Sequence, residues 1–260
     1  MSVISPPKTR QVFNEQFEAW LVSPLGAYVS NWEQKHLDSV VADVFGYNAA
    51  QIGGLGLSAL AENRIQCRFV LNDAANENVL LDDGISLVLA SSYEDLPIAD
   101  ESLDLLVLPH VLEFCADPHA MLREVDRVLR PEGKLVVTGF NPISLWGLTK
   151  PTPRQQLIGL PRLRDWLKLL SFDNEFSHYG CYRPPIKDSA LLERFGLLEK
   201  AGDRWWPICG AVYLHCATKK VHNLRLVGPV WKKMGVKAAK VQPALAGSVQ
   251  NKNYEKETIR

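Results

Sequence analysis

The sequence contains little cysteine and lacks both metal-ligand spacings and long apolar runs. Its five cysteines are scattered over 260 residues without a C-x-x-C pair, and the six histidines show no ligand spacing, so we predict no metal site. No apolar run approaches the length that spans a bilayer, and residues 1–10 lack the apolar region of a secretory signal. We therefore expect a cytoplasmic protein with reduced thiols and no membrane association.

Net charge is also lacking, but the charges are unevenly distributed. Lys and Arg together number 29, and so do Asp and Glu. Residues 219–260 contain ten Lys or Arg and two Asp or Glu, which leaves the preceding residues with an acidic surplus. We expect residues 220–260 to form a flexible basic tail. A polyanion partner for this tail remains an alternative, whereas the acidic remainder argues against a broad nucleic-acid-binding face.

Helical periodicity dominates the N-terminal region. Apolar residues at spacings of three and four predict two helices in residues 11–45, separated by a break at Ser23–Gly26. The stripe of the second helix passes through Trp32, His36, Val40 and Val44, with Gly46 as the expected C-cap. We expect residues 1–47 to be a helical cap that pads or covers the domain.

Residues 48–219 alternate apolar runs with helical segments, a pattern typical of a parallel, doubly wound α/β sheet. Five runs predict strands at 49–52, 67–71, 86–90, 103–108 and 134–138. We expect one helix between the first two strands and another at residues 118–129. The later segments predict a helix at 163–170, a strand at 171–178, a helix at 188–195 and a last strand at 210–218. Residues 141–209 are expected to include lid and substrate insertions.

The most specific pattern lies in residues 91–140. The pieces EDLPIADESLDLLVLPHVLEF and DPHAMLREVDRVLRPEGKLVVTGF follow each other there. Together they resemble the methyltransferase type 11 group of the class I S-adenosylmethionine-dependent methyltransferases, and residues 141–206 look like an uncharacterised bacterial branch of that group. The resemblance implies a Rossmann-like, seven-stranded, mostly parallel sheet with helices on both faces and an antiparallel last strand. It also implies S-adenosylmethionine as cofactor and S-adenosylhomocysteine as product.

The resemblance places the cofactor at the carboxyl ends of the first four strands. A glycine turn there lets the backbone approach the methionine and ribose, although Gln51 replaces the acid that usually precedes this turn. The implied cofactor-binding residues are Gly53, Gly54 and Gly56 in the turn, Asn72 and Asp73 for the ribose, Ser92 and Tyr93 for the adenine, and Pro109 and His110 for the methionine. Ordinary turns and loops remain an alternative explanation for the glycines, the Asn-Asp pair and Ser92.

His110 is also a candidate general base because histidine titrates near neutral pH, with a structural role as the alternative. We expect residues 141–183 to form a mobile cover that holds the residues binding a small-molecule acceptor. The candidates are Asn141, Trp146, His178, Tyr179, Tyr182 and Arg183, followed by Trp205 and Trp206. Core packing is the competing account for the tryptophans.

Two rival functions differ from methyl transfer. A catalytically silent binding or regulatory module is favoured by the missing acid before the glycine turn and by Ser92, which stands where the group usually has Asp. A nicotinamide-dependent dehydrogenase is disfavoured because GGLG does not have the G-x-G-x-x-G spacing.

Overall fold

A computed structural model describes residues 17, 19–54, 56–73, 85–90, 93, 95–149, 156–186, 188 and 194–220, with Asp73 and residues 87–90 described by their backbone alone. The predicted tail after residue 220, Ser92 and the first 16 residues lie outside these ranges. The division of the chain into a cap, a domain and a tail therefore stays a prediction.

Seven strands form one sheet in the order β3-β2-β1-β4-β5-β7-β6. The strands are β1 (Asn48–Ile52), β2 (Cys67–Asp73), β3 (Ile85–Ala90), β4 (Leu103–Pro109), β5 (Leu129–Phe140), β6 (Phe172–Gly180) and β7 (Val212–Lys219). Strands β1 to β5 pair in parallel, whereas β7 runs antiparallel to both β5 and β6. The predicted Rossmann-like sheet with an antiparallel last strand is confirmed.

Helices cover both faces of this sheet. They are α1 (Pro24–Val41), α2 (Val111–Phe114), α3 (Pro118–Val128), α4 (Leu145–Thr149), α5 (Leu160–Leu169) and α6 (Gly196–Trp205), and a 3-10 turn, Pro207–Cys209, follows α6. On one face, Leu37 of α1 is buried in a cluster with Leu105, whereas Val125 of α3 and Leu163 of α5 are buried with Leu106 on the other. Successive residues of β4 point to opposite faces, so one strand serves both clusters.

Helix α1 begins where a break was predicted. Ser23 is its N-cap, with the Ser23 hydroxyl accepting from the Gly26 backbone N–H at 3.1 Å, and Pro24 occupies the first helical position. The predicted C-cap at Gly46 is wrong because α1 ends at Val41. Gly46 instead lies so close to Asp104 that a side chain there would overlap it.

The unit from β4 to β5 matches the prediction most closely. Asp117 caps α3 by accepting from the backbone N–H groups of His119 and Ala120, and Pro118 follows at the first helical position. The apolar face of α3 is buried as its periodicity predicts. Only the closing turn differs, because residues 131–133 continue into β5, with a register shift opposite Leu103 and Leu105.

The connection between β1 and β2 departs from the prediction. Its described residues, 53–54 and 56–66, form turns and no helix. Non-local contacts hold them instead: Asn63 donates from its side-chain amide to the carbonyls of Val41 and Val44, and Leu57 and Leu60 are buried against α1. The predicted helix is therefore wrong because this connection packs on α1 rather than on itself.

Residues 141–183 do not form one cover. Strand β6 pairs with β7 from Phe172 to Gly180, and α5 lies on the sheet face, so about half of this segment belongs to the core fold. The prediction of a mobile cover over the whole segment is wrong. The helix predicted at 188–195 falls mostly outside the described residues, and α6 begins at Gly196.

A buried neutral histidine links β6 and β7, and we expect it to make the stability of the fold sensitive to acid. His215 is fully buried, with Nε2 2.7 Å from Asn174 Oδ1 and Nδ1 2.7 Å from the Ser177 hydroxyl, which also accepts from Arg164. Burial, aided by the charge of Arg164, lowers the pKa of His215 to about 4. The unfolded chain therefore binds this proton more readily, and stability is lost as pH falls from about 6.5 to about 4.

We expect the free energy of unfolding to fall by up to about 3 kcal/mol over this range because of His215. Urea denaturation at several pH values, on the wild type and on His215→Gln, measures it. The variant should show a shallower acid slope. Equal slopes in the two proteins would contradict the assignment.

Candidate cofactor crevice and apolar cavity

The sheet has one point where the strand order reverses. Strand β1 pairs with β2 on one side and with β4 on the other, so connections leave in opposite directions from the carboxyl ends of β1 and β4. Ligands of open α/β sheets bind in the crevice at such a point. The glycine turn after β1 and the residues after β4 meet there.

The glycine turn requires glycine for its backbone conformation. Gly53 and Gly54 have φ values of 65° and 62°, and the Gly53 N–H donates to the Leu71 carbonyl at 3.0 Å. A Cβ on Gly54 would lie 2.6 Å from Cβ of Pro109, and a Cβ on Gly53 would lie 3.1 Å from Cγ2 of Val111. The turn therefore packs directly against the end of β4. A bulky residue at Gly54 would strike Pro109, so its effect would not report on cofactor space alone.

Gln51 explains how the turn holds its shape. Its side chain is buried, and its amide nitrogen lies 2.9 Å from the Gly53 carbonyl oxygen, 3.2 Å from that of Gly54 and 2.9 Å from that of Leu57. Its amide oxygen accepts from the Ala59 N–H at 3.0 Å. A carboxylate could not donate to these three carbonyl oxygens. Gln51 is therefore a positioning residue of the turn.

The ribose and adenine side of the crevice is described only in part. Asn72 is buried at the end of β2, and the Asp73 backbone pairs with Ala90 of β3. Tyr93 is buried in the core cluster, and its hydroxyl would lie 3.8 Å from a Cβ on Gly53. The roles of Asn72, Asp73 and Tyr93 stay predictions, and Ser92 lies outside the described residues.

His110 lies between two buried carboxylates. It follows β4 in the left-handed conformation, with φ of 55°, and is 1% exposed. Its Nε2 lies 2.8 Å from Glu33 Oε1, and its Nδ1 lies 3.4 Å from Glu113 Oε2. The other Glu113 oxygen accepts from the Phe140 backbone N–H. Burial alone would lower the pKa of His110, but the two carboxylates raise it to about 10.

This pKa changes the role predicted for His110. A group with a pKa of about 10 is protonated at neutral pH, so His110 in this arrangement is a cation rather than a general base. Glu33 Oε2 is buried and makes no hydrogen bond to the described residues. This oxygen beside the crevice could therefore accept a hydrogen bond from a ligand.

Sequence reasoning missed Glu33. The buried face of α1 passes through Val29, Glu33, Leu37 and Val41, one position away from the stripe predicted through Trp32 and His36. The sequence does place this glutamate within a row of apolar residues spaced four apart, and that pattern could have indicated a buried carboxyl group.

Residues of the N-terminal region pack against this cluster. The Phe17 ring lies 5.2 Å from that of His110 and 5.1 Å from that of Phe114, measured between centroids. Leu21 lies against Gly56, where a Cβ would come within 2.9 Å of Leu21 Cδ1. The helical cap expected at residues 1–47 stays a prediction.

Four of the predicted acceptor residues are parts of the framework. Asn141 donates to the carbonyls of Ile208 at 2.7 Å and Gly210 at 2.9 Å, and Trp146 is buried with its indole N–H donating to the Arg183 carbonyl. His178 and Tyr179 lie within β6 rather than in a loop and therefore point to opposite faces of the sheet. The structure does not bring these four together.

Tyr182 and Arg183 follow β6 at the same sheet edge as the crevice. The Arg183 guanidinium lies 4.8 Å from the centre of the Tyr28 ring, and its Nε lies 3.9 Å from Glu199 Oε2. Tyr182 lines an apolar cavity of about 430 Å³ between α4 and α6. The cavity is lined by Ile143, Leu145, Leu148, Tyr182, Leu198, Gly202, Trp206 and Cys209. Of the candidate acceptor residues, Tyr182 and Trp206 line this cavity, and its aliphatic lining was not predicted.

In the described part of the chain, no three His, Cys, Asp or Glu residues lie close enough to hold a metal ion. Among the same residues, no helix has the length and hydropathy needed to cross a membrane.

Comparison with known proteins supports the assignment of the fold. Residues 52–137, from the end of β1 to β5, match the methyltransferase domain of the type 11 group. The uncharacterized protein YafS of Escherichia coli is 33% identical over 164 residues, which are 60% of this chain and 65% of YafS. The match thus spans slightly less than two thirds of that relative.

Solved structures share the architecture at lower identity. One chain of the complex between the Haloferax volcanii Trm112 methyltransferase activator and a methyltransferase has a TM-score of 0.60 at 19% identity, covering 81% of this chain and 99% of that chain. An S-adenosylmethionine-dependent methyltransferase of Thermotoga maritima has a TM-score of 0.57 at 19% identity, covering 81% and 97%. The strand order and these neighbours together show that the protein has the class I methyltransferase fold, and residues 52–137 are similar to the methyltransferase domain of the type 11 group.

Proposed function

We propose that the protein transfers the methyl group of S-adenosylmethionine to a small-molecule acceptor that has an apolar portion. The observation that carries this proposal is the positive-φ glycine turn packed against the end of β4, where the strand order reverses. A backbone turn without side chains leaves space for the close approach of a nucleotide-like ligand. A cytoplasmic location, where such a cofactor is available, stays part of the proposal.

The residues of the crevice suit the charges of this cofactor. When bound, S-adenosylmethionine supplies a sulfonium methyl group that a nucleophile attacks in line, leaving S-adenosylhomocysteine. Gln51 would hold the turn under the methionine, and Asp73 at the end of β2 would accept from the ribose hydroxyls. The second carboxyl oxygen of Glu33, beside His110, makes no hydrogen bond to the described residues and would suit a ligand that donates one.

The chain would contribute approach geometry and exclusion of water rather than acid–base chemistry. Phe17 and Phe140 pack against His110, Phe114 packs against Phe17, and the three rings make the edge of the sheet apolar there. The acceptor cavity between α4 and α6 lies at the same edge, because α4 follows β5 and the turn after α6 precedes β7. An acceptor whose apolar part fills this cavity would present its nucleophile towards β4.

A matched pair of variants tests the cofactor site. We expect Asp73→Ala to weaken S-adenosylmethionine binding by about 1–3 kcal/mol, the cost of leaving hydroxyl partners unsatisfied. Asp95→Ala, which changes an exposed aspartate, should leave affinity unchanged. Isothermal titration calorimetry with S-adenosylmethionine and S-adenosylhomocysteine measures both. Equal affinities of wild type and Asp73→Ala would remove Asp73 from the site, and no binding by the wild type would reject the proposal.

A catalytically silent binding module is the second candidate, and one observation favours it. The connection after the glycine turn has no helix in its described residues, so no helix N-terminus faces the crevice from that side. Gln51 also commits its side chain to the turn rather than to a ligand. Cofactor binding without methylation of any compound in a broad acceptor screen would favour this candidate.

A further inference from the structure

Large apolar side chains are concentrated on one surface of the molecule. Helix α4, helix α6 and the turn after α6 expose what we call the apolar rim. Its members and their exposed fractions are Leu145 52%, Leu148 75%, Leu197 81%, Trp205 70%, Trp206 58% and Ile208 59%. Contiguous exposed apolar surface of this kind is rare on monomers and marks a site of interaction.

The apolar rim is continuous with the cavity between α4 and α6. Leu145, Leu148 and Trp206 belong to both, so the cavity opens onto this surface. A ligand moving between cavity and surroundings would therefore pass over apolar side chains. Such a mouth suits a neighbouring medium that is itself apolar.

The charges around the apolar rim favour an anionic partner. Helix α6 exposes Lys200 and Arg204. Its Glu199 is turned inward, where it accepts from the Tyr28 hydroxyl and from the Cys181 backbone N–H. Exposed Asp203 partly offsets the two cations. Positive charge beside an apolar surface is the combination found in proteins that lie on lipid surfaces.

The residue types point the same way. Trp205 and Trp206 are adjacent in sequence, their rings lie 6.2 Å apart, and both are mostly exposed. Tryptophan is enriched where membrane meets water, because its ring is apolar and its N–H is polar. Leucine on the same surface would enter the acyl region.

We propose that the apolar rim docks on the surface of an anionic lipid bilayer. This departs from the expectation of no membrane association, which considered only spanning segments and a secretory signal. Docking of the rim does not depend on methyl transfer. It turns the mouth of the cavity towards the lipid, so that a lipid-soluble compound can enter without crossing water.

Vesicle flotation with the full chain tests the proposal. The vesicles contain phosphatidylcholine alone or phosphatidylcholine with phosphatidylglycerol. We expect stronger binding to the anionic vesicles, and we expect Leu197→Glu and Trp205→Glu each to weaken it about tenfold, because each removes one large apolar group from the contact. Leu169→Glu is the matched control, since Leu169 ends α5 outside the rim and is 83% exposed. It should bind as the wild type does.

Three outcomes would overturn the proposal. The wild type fails to bind either vesicle, or Leu169→Glu weakens binding as much as Leu197→Glu. In the third outcome, vesicle binding disappears in about 0.5 M salt, which screens exposed charges within about 4 Å, and Leu197→Glu does not affect it. Binding would then be due to the basic residues 221–260 alone. Static light scattering separates a further case: a wild-type dimer that Leu197→Glu converts to monomer, without vesicle binding, would make the rim a self-association surface instead.

Discussion

A His110→Ala variant is expected to lose about 3–5 kcal/mol of unfolding free energy at pH 7, the cost of removing one partner from a buried ionic cluster. His110 separates the carboxylates of Glu33 and Glu113, with its nitrogens 2.8 Å and 3.4 Å from their oxygens. Without the imidazole, both buried carboxyl groups lose the partner that lies between them. Chemical denaturation followed by circular dichroism measures the loss.

The pH dependence of this loss follows from the pKa of His110. Because that pKa is raised from its ordinary value of 6.5 to about 10, the stabilisation is fully present below pH 6.5 and is lost as pH rises through 10. The difference in stability between wild type and His110→Ala should therefore shrink between pH 7 and pH 10. A difference that stays constant over this range would mean that His110 stabilises by packing against Phe17 and Phe140 rather than by charge.

Two variants control this experiment. His119→Ala removes an exposed histidine from α3 and should change the free energy of unfolding by less than about 1 kcal/mol. Glu33→Gln keeps the shape of the cluster and removes one charge. If Glu33 acts through His110, the double variant Glu33→Gln, His110→Ala should be less destabilised than the sum of the single variants.

The sequence predicts those parts of the fold whose signals are local. The runs at 103–108 and 134–138 and the capped helix that starts at Pro118 all act over a few positions, so β4, α3 and the centre of β5 were placed correctly. The helix expected after β1 fails because its residues are held by distant partners, as Asn63 is by the carbonyls of α1 and the residues after it.

The candidate site shows the same division. The glycine turn and the residues after β4 can be recognised from their residue types in the sequence, and in the structure they pack against each other. Glu33 comes from a helix 77 positions earlier than His110, and only the packing of α1 on the sheet edge joins them. Asn141 and Trp146 were predicted to bind an acceptor because of their residue types, whereas their side-chain N–H groups donate to backbone carbonyls of the framework.

Gln51→Glu is the variant on which the resemblance and the structure disagree. The methyltransferase group usually has an acidic residue at this position. If Gln51 contacted the cofactor in place of that acid, changing it to Glu would strengthen cofactor binding. The structure predicts the opposite. A carboxylate at position 51 would face the carbonyl oxygens of Gly53, Gly54 and Leu57 without a proton to donate.

We expect Gln51→Glu to destabilise the fold by about 2–4 kcal/mol, because a buried charge would replace satisfied hydrogen bonds, and to weaken S-adenosylmethionine binding at least about tenfold. Gln66→Glu, an exposed change of the same chemistry, should alter neither quantity. Thermal unfolding and calorimetric titration on the three proteins measure both effects. Tighter binding by Gln51→Glu would show that the amide is a weakened ligand contact. Weaker binding together with lower stability would show that the side chain at position 51 affects the cofactor indirectly, by holding the glycine turn in shape. The positive φ angles of Gly53 and Gly54 keep the crevice open.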